Sequence, residues 1–150
     1  MAYETMVGSE LAISASLPAT DDVAGYAALT YTPIGEVTDN GEMVANAQEI
    51  THETVKEGIV KKGKGSKNYG TRPVALALDL NDAGQIICEA AFDDNAPYSF
   101  RETWQSGVVV YYQAITLSYP YASGGGPNAV RSGTLQQSVT TKPVIDISGA

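Results

Sequence analysis

The sequence predicts a mostly β protein of the α+β kind, a β-sandwich with one packed α-helix and a long hairpin loop, and three observations carry that prediction. Stretches rich in β-branched and aromatic residues, "YSFRETW", "GVVVYYQAITLSYPY" and "AVRSGTLQQSVTT", fill the second half without any helical period. One segment alone, "NDAGQIICEAAF", joins a capping signal to apolar residues at helical spacing. Residues 44–71 are polar and rich in glycine, with only weak alternation at Ile50, Val55, Ile59 and Val60, the texture of a long hairpin with an adaptable tip. A length of 150 residues suits one domain, 1–150, with a core of useful size.

The elements follow in order. "ELAISAS" sets Leu11, Ile13 and Ala15 against Ala12, Ser14 and Ser16, a short strand that stops before Pro18. In "TDDVAGYAAL", Thr20 is placed to cap a helix whose first turn holds Asp21 and Asp22, and Gly25 keeps that helix short. "YTPIGEVTDNGEM" has turn chemistry at Thr32-Pro33 and at Asp39-Asn40-Gly41, with an extended piece between. After the hairpin, "PVALALDL" places Val74, Leu76, Leu78 and Leu80 on one face of a strand. Asp82 followed by Gln85 then resembles a capping box, and Ile86, Ile87, Ala90 and Ala91 form the stripe expected to pack on a sheet. "SGGGPN" links to a C-terminal strand or arm at about 128–150.

Charge is distributed unevenly. Residues 56–67 hold five of the six lysines, Lys56, Lys61, Lys62, Lys64 and Lys67, against Glu57, a local charge of +4. The remaining four basic and sixteen acidic residues give −12, so the net −8 describes a dipolar chain. A pI near 4.4 opposes tight binding to duplex nucleic acid, which needs a basic surface that releases counterions. Neither a basic N-terminal segment before an apolar one nor an apolar run of about eighteen residues is present, so no secretory signal or membrane anchor is expected. The lone Cys88 has no disulfide partner in the chain and fits a reducing compartment.

Several patterns invite a catalytic interpretation. "GIVKKGKG" approaches a phosphate-binding loop, but Gly65 stands where Ser or Thr would hold magnesium, and the turn-like "SKNYGTRP" follows where a helix should open. A solvated hairpin tip or a docking segment fits the same residues. His52 has no second histidine or cysteine cluster with which to close a zinc site, and Cys88 lies on an apolar helical stripe where a thiolate is disfavoured. Asp21-Asp22 and Asp93-Asp94 lack the spacing of a calcium loop and match helix-start and turn composition. Tyr98, Phe100, Trp104, Tyr111, Tyr112, Tyr119 and Tyr121 either line a sugar-binding groove or build a sandwich core. No enzyme, cofactor or metal is expected.

Four successive pieces together resemble one family: "TYTPIGEVTDNGEM", the polar hairpin "EITHETVKEGIVKKGKGSKNYGTRP", "VALALDLNDAGQIICEAAF" and the closing "AITLSYPYASGGGPNAVRSGTLQQSVTTKPVID". In that order they are similar to the major tail tube proteins of long, flexible-tailed bacteriophages, the lambda-like siphoviruses. The resemblance implies a structural virion protein without catalytic residues. It implies hexameric rings with a β-barrel lumen, stacked into a tube that conducts DNA during ejection. Assembly in the host cytoplasm, contacts with tape measure, tail tip and terminator proteins, and no membrane partner are implied with it. The family's long loop reaches a neighbouring ring, and here it corresponds to about 44–71. Its lysines would then meet the acidic remainder of another subunit. An acidic lumen would keep DNA from sticking, and Glu36, Asp39, Glu42, Glu49 and Glu53 flank the early strands where such charges belong; an outer, solubilising position suits them equally. The alternatives are a carbohydrate- or surface-binding β-sandwich, or another virion ring protein such as a tail terminator.

Overall fold

The computed structural model describes residues 3–150. In chain order the elements are β1 Glu10–Ser14, α1 Val23–Ala27, β2 Thr32–Pro33, β3 Val37–Asp39, β4 Asn46–Glu53, β5 Val60–Asn68, β6 Thr71–Ala77, α2 Ala83–Asp93, β7 Tyr98–Thr103, β8 Val109–Thr116, β9 Ser132–Val139 and β10 Val144–Asp146. Eight strands form one sheet in the order β2-β1-β7-β8-β9-β6-β3, with β10 on β8, and β4-β5 is a separate ribbon. The fold is mostly β with one principal helix, as expected. No helix among the described residues is long and apolar enough to cross a membrane.

The sheet curls, and β8 shows where. Its Val109–Tyr111 segment pairs with β10, whereas Ala114–Thr116 pairs with β9, so two strands share one edge end to end. Beyond that point β9 carries β6 and β3 away from the first layer. In a flat sheet β6 would lie about 14 Å from β7, three strand spacings away. Instead Arg72 of β6 forms an ion pair with Glu102 of β7, contact that only a rolled sheet allows. Leu11, Ile13, Phe100, Tyr112, Val74, Leu76 and Leu135 fill the inside of the roll.

Helix α2 closes it with a buried face of Gly84, Gln85, Cys88 and Ala91. This corrects the expected stripe: Ala91 is buried and Ile87 packs partly against the core, but Ala90 is exposed and Ile86 is 52% exposed. Two contacts set the phase. A Cβ on Gly84 would lie 2.2 Å from the Pro33 carbonyl oxygen, so the helix meets β2 through bare backbone. Gln85 is buried because its amide is fully used: Oε1 accepts from the Asp79 N–H at 3.0 Å, and Nε2 donates to the carbonyls of Gly35 and Ala77 at 3.0 and 2.9 Å. Asp82 caps α2 through the Gln85 N–H at 2.9 Å, as the sequence predicts, but the reciprocal half of the capping box does not form, since the Gln85 amide is used elsewhere and the Asp82 N–H donates to the Asp79 carbonyl at 3.1 Å.

Other local expectations shift for equally plain reasons. Asp22, not Thr20, caps α1; the Gly25 N–H and then the Thr20 hydroxyl hold its carboxyl below the ordinary range. Leu80 is exposed because β6 ends at Ala77 and the chain turns toward α2. In β1 both faces are buried, since Ala12 belongs to an outward row with Arg101 and Tyr111 that further aromatics cover. Tyr26 stacks on Tyr111 at 5.2 Å, and the Arg101 guanidinium sits 4.8 Å from the Tyr31 ring centre.

Candidate functional site

Strands β4 and β5 form a hairpin that stands apart from the body. The two strands pack on each other, and no other helix or strand packs substantially against either. Every residue of β4 and all of β5 except Gly65 are exposed. A lone two-stranded ribbon is marginal in water, so this one lacks the support that would normally hold it.

Its pairing fixes where the lysines point. Lys64 lies opposite Glu49, Lys62 opposite Thr51, Lys61 opposite His52 and Lys67 opposite Ala47. Alternation places Lys62 and Lys64 on one face with Val60, and Lys61 on the other with Ile50 and His52. Lys56 is in the connecting turn, closed by the Gly58 N–H donating to the Thr54 carbonyl at 2.9 Å. The one ion pair on the hairpin among the described residues, Lys61 with Glu57 at 2.9 Å, is solvent-exposed and adds little. Ile50 folds over Gly65, whose missing Cβ would stand 3.1 Å from it, yet Ile50 remains 53% exposed. Val55, Ile59 and Val60 are exposed as well, so the hairpin is as aliphatic as it is basic.

The root of the hairpin is better anchored. Lys64 and Lys67 converge there with Lys142, beside Tyr69 and Asn46, around a groove of about 300 Å³. Lys142 is distant in sequence and becomes part of the cluster only through the fold. On the chain leading into β4, Arg72 Nε donates to the Asn40 carbonyl at 2.7 Å while its Nη2 pairs with Glu102. Arg72 and Glu102 are both buried. Its Nη1 reaches the Tyr112 hydroxyl at 3.4 Å, which donates to Gln137 Oε1 at 2.6 Å. Burial pushes the Tyr112 phenol up to about 12, against the pull of Arg72, so it stays a donor. Gly41 follows at φ +71, where a Cβ would meet the Pro73 carbonyl oxygen at 1.9 Å.

The five acidic candidates divide into two groups. Glu36, Asp39 and Glu42 lie before, in and after β3, with Asp39 accepting from the Gly41 N–H, while Glu49 and Glu53 stand within β4 among the lysines. The other chemical candidates do not converge. Gly58 to Lys64 forms a turn and the start of β5, with no helix following. His52 is on the hairpin and Cys88 in the buried face of α2. Asp21 accepts from Gln113 and Asp22 caps α1, while Asp94 accepts from the Ala96 N–H. Of the seven aromatic residues, Tyr98, Phe100, Tyr111 and Tyr112 are buried and belong to the sheet's packing, Tyr119 is half-buried, and Trp104 and Tyr121 are exposed. Burial and then the charge of Asp82 push the Cys88 thiol up to about 12. Native protein should therefore not react with iodoacetamide at pH 8, with full labelling in denaturant; rapid native labelling by mass spectrometry would show that α2 opens.

No protein-family model and no curated protein matches the chain. Among solved structures it is similar to a chain of the tail of an empty gene transfer agent (GTA) particle, determined by helical refinement with C6 symmetry. The TM-score is 0.61 over 89% of this chain and 92% of that one, at 16% sequence identity. At that identity the likeness is one of fold alone.

Proposed function

We propose that this chain is a structural tail-tube subunit, without enzymatic activity, that assembles as stacked hexameric rings into the DNA conduit of a flexible phage-type tail. The detached hairpin carries the proposal: a ribbon that is basic, aliphatic and unsupported within one chain gains its packing from another. The fold likeness to a tail chain solved with C6 symmetry agrees with a sixfold ring. Residues 1–150 then act as one tube domain, about 44–71 as the assembly loop and about 128–150 as the C-terminal arm.

Within this reading the lysines Lys56, Lys61, Lys62, Lys64 and Lys67 meet acidic surface on other copies, where clustered charge sets orientation and speeds encounter. Glu36, Asp39 and Glu42 repel DNA along the channel, and Glu49 and Glu53 travel with the hairpin. A net charge of −8 suits a conduit through which DNA slides without releasing counterions. Other tail proteins bind the ends of the tube, and the assembled product is part of a virion.

Electron microscopy of concentrated purified protein tests this directly. Rings or hollow tubes of sixfold symmetry are expected, and discrete monomers at every concentration would overturn it. Amide exchange gives a second check. Amides of 56–70 should exchange rapidly in the free subunit and become protected in tubes, because this ribbon is the least supported part of the molecule; equal protection in both states would remove the hairpin from the interface.

A further inference from the structure

Where the ribbon joins the body, one groove is lined by lysines and by no carboxylate. Lys64, Lys67 and Lys142 border it together with Asn46, Ala47 and Tyr69. None of the three lysines is in an ion pair among the described residues. Two acids stand beside them without cancelling them. Glu49 lies opposite Lys64 on the ribbon, and Asp21 borders a separate groove with Lys142, where it accepts from the Gln113 amide at 3.3 Å. Three lysines against those two carboxylates still leave +1, and neither acid lines this groove. A concave surface of one sign focuses the field and concentrates counter-ions.

The two walls belong to different parts of the molecule. Asn46, Ala47, Lys64 and Lys67 are in the ribbon. On the other side Tyr69 packs against the core, and the segment before Lys142 is held by the Val139 N–H donating to the Gly70 carbonyl and the Thr140 N–H donating to the Gln113 carbonyl, each at 2.9 Å. We propose that this groove binds a small dianionic phosphate, free or as a monoester, and that the bound ion ties the ribbon to the body. Lysine suits phosphate as a point charge, and three lysines from two walls suit a dianion better than a carboxylate or chloride. A net charge of −8 favours a small ion over a nucleic-acid strand, which would carry its own charge past the acidic remainder. Lys64 lies in the stretch that approaches a phosphate-binding loop, but here the second wall comes from Lys142 and not from an opening helix. The site is a property of the free subunit and does not rest on the tail-tube reading.

Titration of dilute full-length protein with inorganic phosphate at about pH 8, followed by NMR against chloride at matched ionic strength, tests this. Saturable shifts confined to the groove are expected. Lys64→Gln and Lys142→Gln should each weaken binding by about two- to fivefold, the size of one exposed charge contact, and removal of all three lysines should abolish saturation. Lys56→Gln with Lys61→Gln removes two charges outside the groove and should leave binding within about twofold of wild type. All five lysines are exposed, so the variants should fold, which circular dichroism checks. At ten times its dissociation constant, phosphate should slow exchange of the 60–68 amides by about tenfold, as a ligand bound only to the docked ribbon must. Shifts that never saturate, or equal losses in the groove and control variants, would reduce the effect to general screening and overturn the site. Unchanged exchange at saturation would overturn the tie between ribbon and body. Tighter binding of a single-stranded oligonucleotide than of phosphate would overturn the choice of a small ion.

Discussion

Replacing Arg72 by methionine is expected to destabilise the subunit by about 3–5 kcal/mol, because Glu102 is then left charged and unpaired inside the rolled sheet. That is a large part of the roughly 5–15 kcal/mol that holds a domain of ordinary size. The loss reaches past the ion pair, since the Asn40 carbonyl also loses its donor and the chain leading into the hairpin is freed. Urea denaturation measures the effect. The pair Arg72→Met with Glu102→Leu should recover most of the stability, as apolar replacement of both partners often does. A cost below about 1 kcal/mol for Arg72→Met alone would place it with exposed ion pairs and contradict the buried network.

Changing Lys61, Lys62, Lys64 and Lys67 together to glutamate should abolish polymerisation without unfolding the subunit. All four are on the exposed ribbon, away from the core, so circular dichroism and thermal melting should hardly change. Each exposed pair is worth about 0.2–1 kcal/mol, and Lys64→Ala alone should be close to silent. Repetition around a ring and along a tube makes the reversal severe. Salt should weaken wild-type assembly through the same charges, screened over about 8–10 Å at ordinary ionic strength. The outcome also separates assembly from nucleotide chemistry, in which Lys64 would be decisive and Lys61 and Lys62 dispensable. Normal tubes from the fourfold variant, seen by sedimentation and microscopy, would end the docking role.

The class of the fold was legible because its signals are local. Valine, tyrosine and threonine mark β7 to β9, Asp82 with Gln85 marks the start of α2, and glycine among lysines marks the ribbon. What escaped depends on residues brought together from far along the chain. The phase of α2 is set by Gly35, Ala77 and Asp79 engaging Gln85, so the apolar Ile86 yields the inner face to an amide. Arg72 reads as one scattered cation until the curl delivers Glu102, and Lys142 until the C-terminal segment returns to the hairpin root. Strand β10, at three residues, is too short to show a period. For the candidate surface, the sequence located the lysines and, among them, Ile50, Val55, Ile59 and Val60, but not that the detached ribbon leaves all four aliphatic side chains exposed.

A ribbon with one bare edge on each strand has a consequence for the time before assembly. Open edges of this kind offer unpaired N–H and C=O groups to any passing chain, and they template fibrous aggregation. Here the register slips between Ala47 and Glu49, which bends the ladder, and lysines recur along β5. Both features deny a flat, neutral template. The charges that choose the right neighbour therefore also preserve the unused subunit in solution, and a variant stripped of charge, instead of reversed, would trade tubes for fibres.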